Sequence, residues 1–457
     1  MLFTNALEKV FRPSNHKNRR GAERTPKTRK LQLESLETRQ LLAVIYVDSL
    51  ADPGVSGDTQ TTLREAIAQA NPGDVINFDS QILGGTIVLK STLTINKSIT
   101  IDGWNMPADE SQPVASFAGI TIDGSGIPYR TTASAPMVRV VNPSASATAP
   151  NIDVTVRGLT FTNTMTLSQA HPAMSVDTID GIAILVARDS NTATNANLTV
   201  QNCTFTKLKY GGRGPIAFYG NTLKVANTLL VDNYALCSTC GYTGAVQFHG
   251  KAMTMDNCTV ANNEAYNESF QSVNKGYGIL SYAPSTSEVV VCNSIFVDHS
   301  AQDFFSQSAP LRLRNNIYED YYNNGNIHFE GGNYDYNAYY PNPTTYSNLF
   351  LNKAAGNYRI FEESFAANKG NVDYMTEQNG YLPTTANYER AYDRDGVYRL
   401  KSPAPDYTAD VGAYSLGWPM PQIIVTISYC NLLGVQCPLC SMQSRFCAPP
   451  RAPFPSF

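Results

Sequence analysis

LTVQNCTF (198–205) is followed by LKVANTLL (223–230), MTMDNCTV (253–260), VVVCNSIF (289–296) and LRLRNNIY (311–318). An earlier relative, VTVRGLTF (154–161), carries Gly where the five copies share Asn. Relative to Asn202, Asn227, Asn257, Asn293 and Asn315, the residues four and two places earlier are always apolar, from Leu198 and Val200 to Leu311 and Leu313. Alternation of that kind means a strand with one face inward. Three places after each Asn stands a second inward candidate: Phe205, Leu230, Val260, Phe296 and Tyr318. Each copy is therefore two short strands meeting at a bend, and Asn and Gly tolerate the left-handed backbone that such a bend requires.

Successive Asn are 25, 30, 36 and 22 residues apart, the length of one coil of a parallel β-helix with variable loops. Coils stacked at roughly 4.8 Å place like residues in columns. A column of five Asn predicts an amide ladder along the axis. A sandwich of hairpins also uses short strands, but it mirrors its copies about turns, and Asn-Gly turns are absent at these bends. The expected fold is all-β, a parallel β-helix over residues 44–345.

Further strands are expected at VINFD (75–79), GTIVLK (85–90), LTINKSITIDG (93–103), ITIDGSG (120–126), MVRVV (137–141) and IAILVA (182–187). Within TTLREAIAQANPGD (61–74), Leu63, Ala66, Ile67 and Ala70 follow helical spacing, and Asn71-Pro72-Gly73 ends the run. This short amphipathic helix is expected to cap the open N-terminal end of the solenoid. Residues 346–415 are expected to form closing coils.

The chain ends differ from the body. Residues 1–30 hold nine Lys or Arg against Glu8 and Glu23, which reads as a targeting arm. The net charge of −4 gives no electrostatic case for nucleic acid. LLAVIYV (41–47) is too short to span a membrane, and no other stretch reaches the needed length. Residues 416–457 contain no Asp or Glu and hold four of the nine Cys, so they do not continue the repeat. Cys203 and Cys258 follow their Asn directly and should point inward, two coils apart, too far to bridge. The pairs Cys237/Cys240 and Cys437/Cys440 are spaced like zinc ligands, but they lie some two hundred residues apart, which is unlike a compact metal module.

Three motifs carry a resemblance. LESLETRQLLA (33–43) resembles the LEPR-XLL motif of large bacterial surface or exported proteins, with Ser35 and Thr38 in place of its prolines. TTLREAIAQANPGDVINFD (61–79) is similar to the CSLREA segment that opens many β-helix surface proteins, with Thr61 where the family usually has Cys. YRLKSPAPDYTADVGAY (398–414) is similar to the C-terminal motif of choice-of-anchor Q β-helix proteins. Together they imply an exported or surface-attached protein, extracellular or at the cell surface, on a right-handed, pectin-lyase-like parallel β-helix. They imply no characterised reaction.

Parallel β-helices include polysaccharide lyases and glycoside hydrolases, so a catalytic groove is the competing expectation. Five places after each Asn lies a polar column: Lys207, Asp232, Asn262, Asp298 and Asp320. Stacking would bring Asp298 and Asp320 to about 5 Å, a spacing suited to a retaining glycosidase or to two acidic ligands of Ca²⁺. His299 stands beside Asp298 and is placed to relay a proton. The same column has a structural explanation, because a polar residue ends the second strand where the chain turns toward solvent. The motif set of polygalacturonase-type enzymes is missing: no paired Asp-Asp occurs, and Arg-Ile-Lys is absent. No cofactor is expected. Eight tyrosines between Tyr318 and Tyr346, including Tyr339 and Tyr340, suit either a sugar-binding surface or packing of the last coils. The reading is thus an adhesive, structural or carbohydrate-binding surface protein, with polysaccharide or cell-surface partners; the alternative is a polysaccharide lyase or glycosidase.

Overall fold

The computed structural model describes residues 42–53, 57–103, 119–128, 136–144, 146, 148–163, 182–188, 192–210, 213–236, 243–266, 272–273, 276–339, 348–370 and 410–413. The basic arm, the first part of the 33–43 motif, both Cys-x-x-Cys pairs and the 416–457 tail lie outside the described residues.

One coil shows how the repeat folds. Ile216–Phe218, Thr222–Ala226, Leu229–Val231 and Tyr234–Leu236 follow one another, and each belongs to a different sheet. The first sheet has ten strands, from Val44–Val47 to Ile327–Phe329, and holds the strand before each Asn. The second has nine and holds the strand after it; the third has seven, and a four-stranded patch completes some coils. Among the named strands every pairing is parallel except Glu264–Tyr266 with Ser272–Val273. This is a parallel β-helix.

The register is the one the repeat predicts. Leu198 pairs with Leu223, Leu223 with Met253, Met253 with Val289, and Val289 with Leu311. These residues, with Phe205, Leu230, Val260 and Phe296, are fully buried in one continuous core. Phe161 stacks on Phe205 with centroids 5.0 Å apart, as does Phe218 on Phe248 at 5.6 Å. At the bend, Gly158, Asn202, Asn227, Asn257, Asn293 and Asn315 all have φ between 48° and 68°. The bend therefore selects Asn and Gly for their backbone.

Side-chain bonds between coils also run from the residue after each bend. Both amide atoms of Asn202 are buried without a hydrogen-bond partner among the described residues, so the bend column is not a continuous chain of amides. Instead the next residue reaches the neighbouring coil. Cys203 N–H donates to Thr228 Oγ1 (3.4 Å), Cys258 N–H to Ser294 Oγ (3.0 Å), Ser294 N–H to Asn316 Oδ1 (2.9 Å) and Asn316 N–H to Asn333 Oδ1 (3.0 Å). Cys203 and Cys258 fill this inward column as buried thiols. Asn315 differs from Asn202: its Nδ2 donates to Lys369 O (3.0 Å) and its Oδ1 accepts from Gly332 N–H (2.9 Å). Asn315→Gly should therefore cost about 1 kcal/mol or more beyond Asn202→Gly, because only the former loses hydrogen bonds. Urea unfolding of both variants checks the order, and equal losses would contradict this account.

The N-terminal end is closed by helix Leu63–Gln69, which buries Leu63, Ala66 and Ile67 against the core. Thr62 and Glu65 form a capping box. Arg64 grips Asp52 through two bonds of 2.6 and 2.8 Å, and Lys97 caps the last carbonyls at Ala68 and Ala70. The conspicuous residues of the 61–74 stretch are thus occupied in building the cap.

Residues 348–370 add no coil to the stack, contrary to the expected closing coils. They lie on the outer face of the second sheet. The outward column of that sheet reads Thr86, Thr121, Thr160, Thr204, then Leu229, Thr259, Ile295 and Ile317. It turns apolar where Leu349, Phe350, Tyr358, Ile360, Ala366, Val411 and Ala413 cover it. An outward aliphatic stripe needs such a cover to leave water.

Candidate functional site

A second column of left-handed residues stands five places after the first: Asn163, Lys207, Asp232, Asn262 and Asp298 have φ between 51° and 61°. Each ends a strand of the second sheet, as the turning chain demands. In three coils the backbone ladder continues through this turn: Lys207 N–H donates to Asp232 O, Asp232 N–H to Ala261 O, and Asn262 N–H to Val297 O. At Asp298 it stops. The Asp298 N–H donates to the Glu319 carboxylate, and Asp320 does not share the left-handed backbone.

At this break the two carboxylates of the expected pair take different partners. Asp298 forms an ion pair with Lys353. Asp320 is exposed and caps its own neighbour, its Oδ1 accepting from Tyr321 N–H at 2.7 Å. His299 is not in an open groove: its side chain is fully buried, Nδ1 accepts from Asn263 N–H (3.3 Å), and Nε2 lies 3.7 Å from Asp303 Oδ1. Burial holds this imidazole down at about 3. Burial pushes the Asp303 carboxyl well up, with the Glu319 charge adding to it, although Glu319 N–H and Asp320 N–H both donate to its Oδ2. Asp298, His299 and Asp320 thus serve different partners. Among the described residues no group of three or more His, Cys, Asp or Glu is placed to hold a metal ion.

The groove lies one step along the same column. Lys207, Asp232 and Asn262, from successive coils, line a cleft of about 600 Å³ with Tyr234 and the turn Lys353–Gly356. Its polar floor is organised around Asp232. One carboxylate oxygen accepts from Asn262 Nδ2 (2.7 Å) and from Tyr358 Oη (2.6 Å). Burial, reinforced by the Asp232 charge, pushes both Tyr358 and Tyr234 upward, so both phenols stay protonated donors. Burial also pulls the Lys353 amine down to about 8 against the opposing pull of Asp232 and Glu264. The arrangement offers hydroxyl, amide, carboxylate and ammonium groups beside the Tyr234 ring.

Lys353 and Tyr358 come from a segment with no repeat, so only the Lys207–Asp232–Asn262 side of the cleft is visible in the column. The tyrosine cluster divides between packing and surface. Tyr318 and Tyr321 pack with Phe329 at the C-terminal end of the core, while Tyr334, Tyr336 and Tyr339 surround Phe365. Tyr339 keeps 59% of its surface exposed; Tyr340 and Tyr346 lie outside the described residues. No helix among the described residues is long and apolar enough to cross a membrane. No protein-family model matches the chain, and no curated protein matches it.

Proposed function

We propose that the protein is an exported, cell-surface β-helix that binds carbohydrate in the Lys207–Asp232–Asn262 cleft without transforming it. One observation carries the reading: an open cleft in which Tyr234 stands beside hydrogen-bonding side chains presented one per coil. The engagement of Asp298 by Lys353 and of Asp320 by Tyr321 N–H supports binding over hydrolysis, since a retaining mechanism needs two carboxyls free to act across the scissile bond. Export and surface location rest on the resemblance of residues 33–43 and 398–414 to surface-protein motifs, and cell fractionation tests them.

A lyase is the second reading, and Lys353 favours it: an amine held near 8 between carboxylates suits proton abstraction at neutral pH. Both readings meet in one experiment, incubation with neutral and acidic polysaccharides, following retention and unsaturated or reducing-end products. Retention without product, reduced several-fold in Asp232→Ala, is the expected result. Product release that disappears in Lys353→Met would replace binding by catalysis, and absence of any retention would sink both.

A further inference from the structure

Among the described residues with left-handed backbone, Lys207 alone is neither Asn, Asp nor Gly. Both bend columns otherwise use residues whose short polar side chains accommodate this conformation. A lysine has no such compensation, and strain of this kind persists where function holds it. Its position gives it a task. Lys207 is exposed at the mouth of the cleft, and its ammonium has no partner among the described residues. The other charges there are answered: Asp298 by Lys353, and Asp232 by Asn262 and Tyr358. Lys207 is therefore the unanswered cation at one end of a line of groups that runs over two coil steps, roughly 10 Å.

We infer that the cleft selects an acidic saccharide, its anionic group on Lys207 and its hydroxyls on Asp232 and Asn262. This rests on the carbohydrate reading and adds the charge of the ligand. A carboxylate on a uronic acid and a sulfate ester on a neutral sugar present the same chemistry to an ammonium. Asp232 disfavours a uniformly anionic ligand, so the charge must sit at one end.

Binding of a trisaccharide with one terminal galacturonate on two galactoses, galactotriose with one terminal 6-O-sulfate, and unmodified galactotriose tests this by calorimetry on the wild type, Lys207→Asn and Lys207→Arg. The acidic sugars should bind about tenfold more tightly than the neutral one, the scale of one charge-assisted hydrogen bond. That preference should weaken with salt, vanish in Lys207→Asn and survive in Lys207→Arg. The Asn variant should unfold no earlier than wild type, because it restores the residue its column favours. Preference for one acidic sugar identifies which anion is read. Equal binding of acidic and neutral sugars, or full acidic preference in Lys207→Asn, overturns the inference while leaving carbohydrate binding intact. No binding of any sugar removes the reading beneath it.

Discussion

Replacing Gly412 with Ala is expected to unfasten the C-terminal segment from the solenoid while leaving the coils folded. Gly412 has φ +99°, a region that L side chains rarely adopt, and its N–H donates to Asn293 O at 2.8 Å. A Cβ there would lie 2.7 Å from Ile295 Cδ1 and 2.9 Å from Thr259 Oγ1. That hydroxyl also accepts the N–H of Ala413, so moving it breaks a second bond. Around it Val411 N–H donates to Ala366 O, and buried Asp410 accepts from Asn368 N–H. Backbone strain and overpacking together put the loss at about 2–4 kcal/mol. Released, the segment would bare Leu229, Val231, Ile295, Val297 and Ile317, which now form one cluster with it. The expected observation is dye binding and early proteolysis before residue 413, with the β-sheet circular dichroism retained. Gly356→Ala is the control: φ is +73° but no atom lies within 4 Å, so only about 1 kcal/mol is lost. If the two variants behave alike, residues 410–413 are not the clasp.

The inward residues were legible in the chain because every coil repeats them. Leu198, Leu223, Met253, Val289 and Leu311 stack because strand pairing in a parallel sheet is translational, so position in the repeat is position in space. Counting says less where the backbone leaves the repeat. Asp298 and Asp320 are 22 residues apart, as are Asn293 and Asn315, yet the Asp298 N–H bonds to the Glu319 side chain instead of to a backbone carbonyl of the next coil. Asn202 takes no part in the expected amide ladder for a related reason: the left-handed residue sets the turn, and the residue after it reaches across. Lys353 and Tyr358 were illegible because an irregular segment obeys no period, and its docking follows the apolar stripe beneath it.

Asp303→Asn is expected to make stability fall steeply with acid. In the wild type, burial pulls the His299 imidazole down to about 3 and pushes the facing Asp303 carboxyl up, so the two groups shift in opposite directions on folding. Glu319 and Asp320 add negative charge beside Asp303, while Asn263 N–H occupies His299 Nδ1 and leaves Nε2 toward the carboxyl. Between about pH 4 and 6.5 the unfolded chain holds one proton on these two residues, on histidine rather than aspartate. The two shifts then oppose each other: lowered His299 loses stability as pH falls, and raised Asp303 loses it as pH rises. In the wild type the two slopes therefore offset one another. With Asn at 303 only the histidine remains. The folded state then binds no proton at this site until about pH 3, whereas the unfolded state binds one below about 6.5. Stability should drop by about 1.4 kcal/mol per pH unit, some 3 kcal/mol between pH 6.5 and 4, and the alkaline decline of the wild-type pair should disappear. His249, held at about 4 by burial and Arg213, adds the same acid slope to both proteins and cancels in the difference. Urea midpoints at four or five pH values measure that difference. Parallel curves for the two proteins would mean that Asp303 does not offset the acid slope of His299 in the fold.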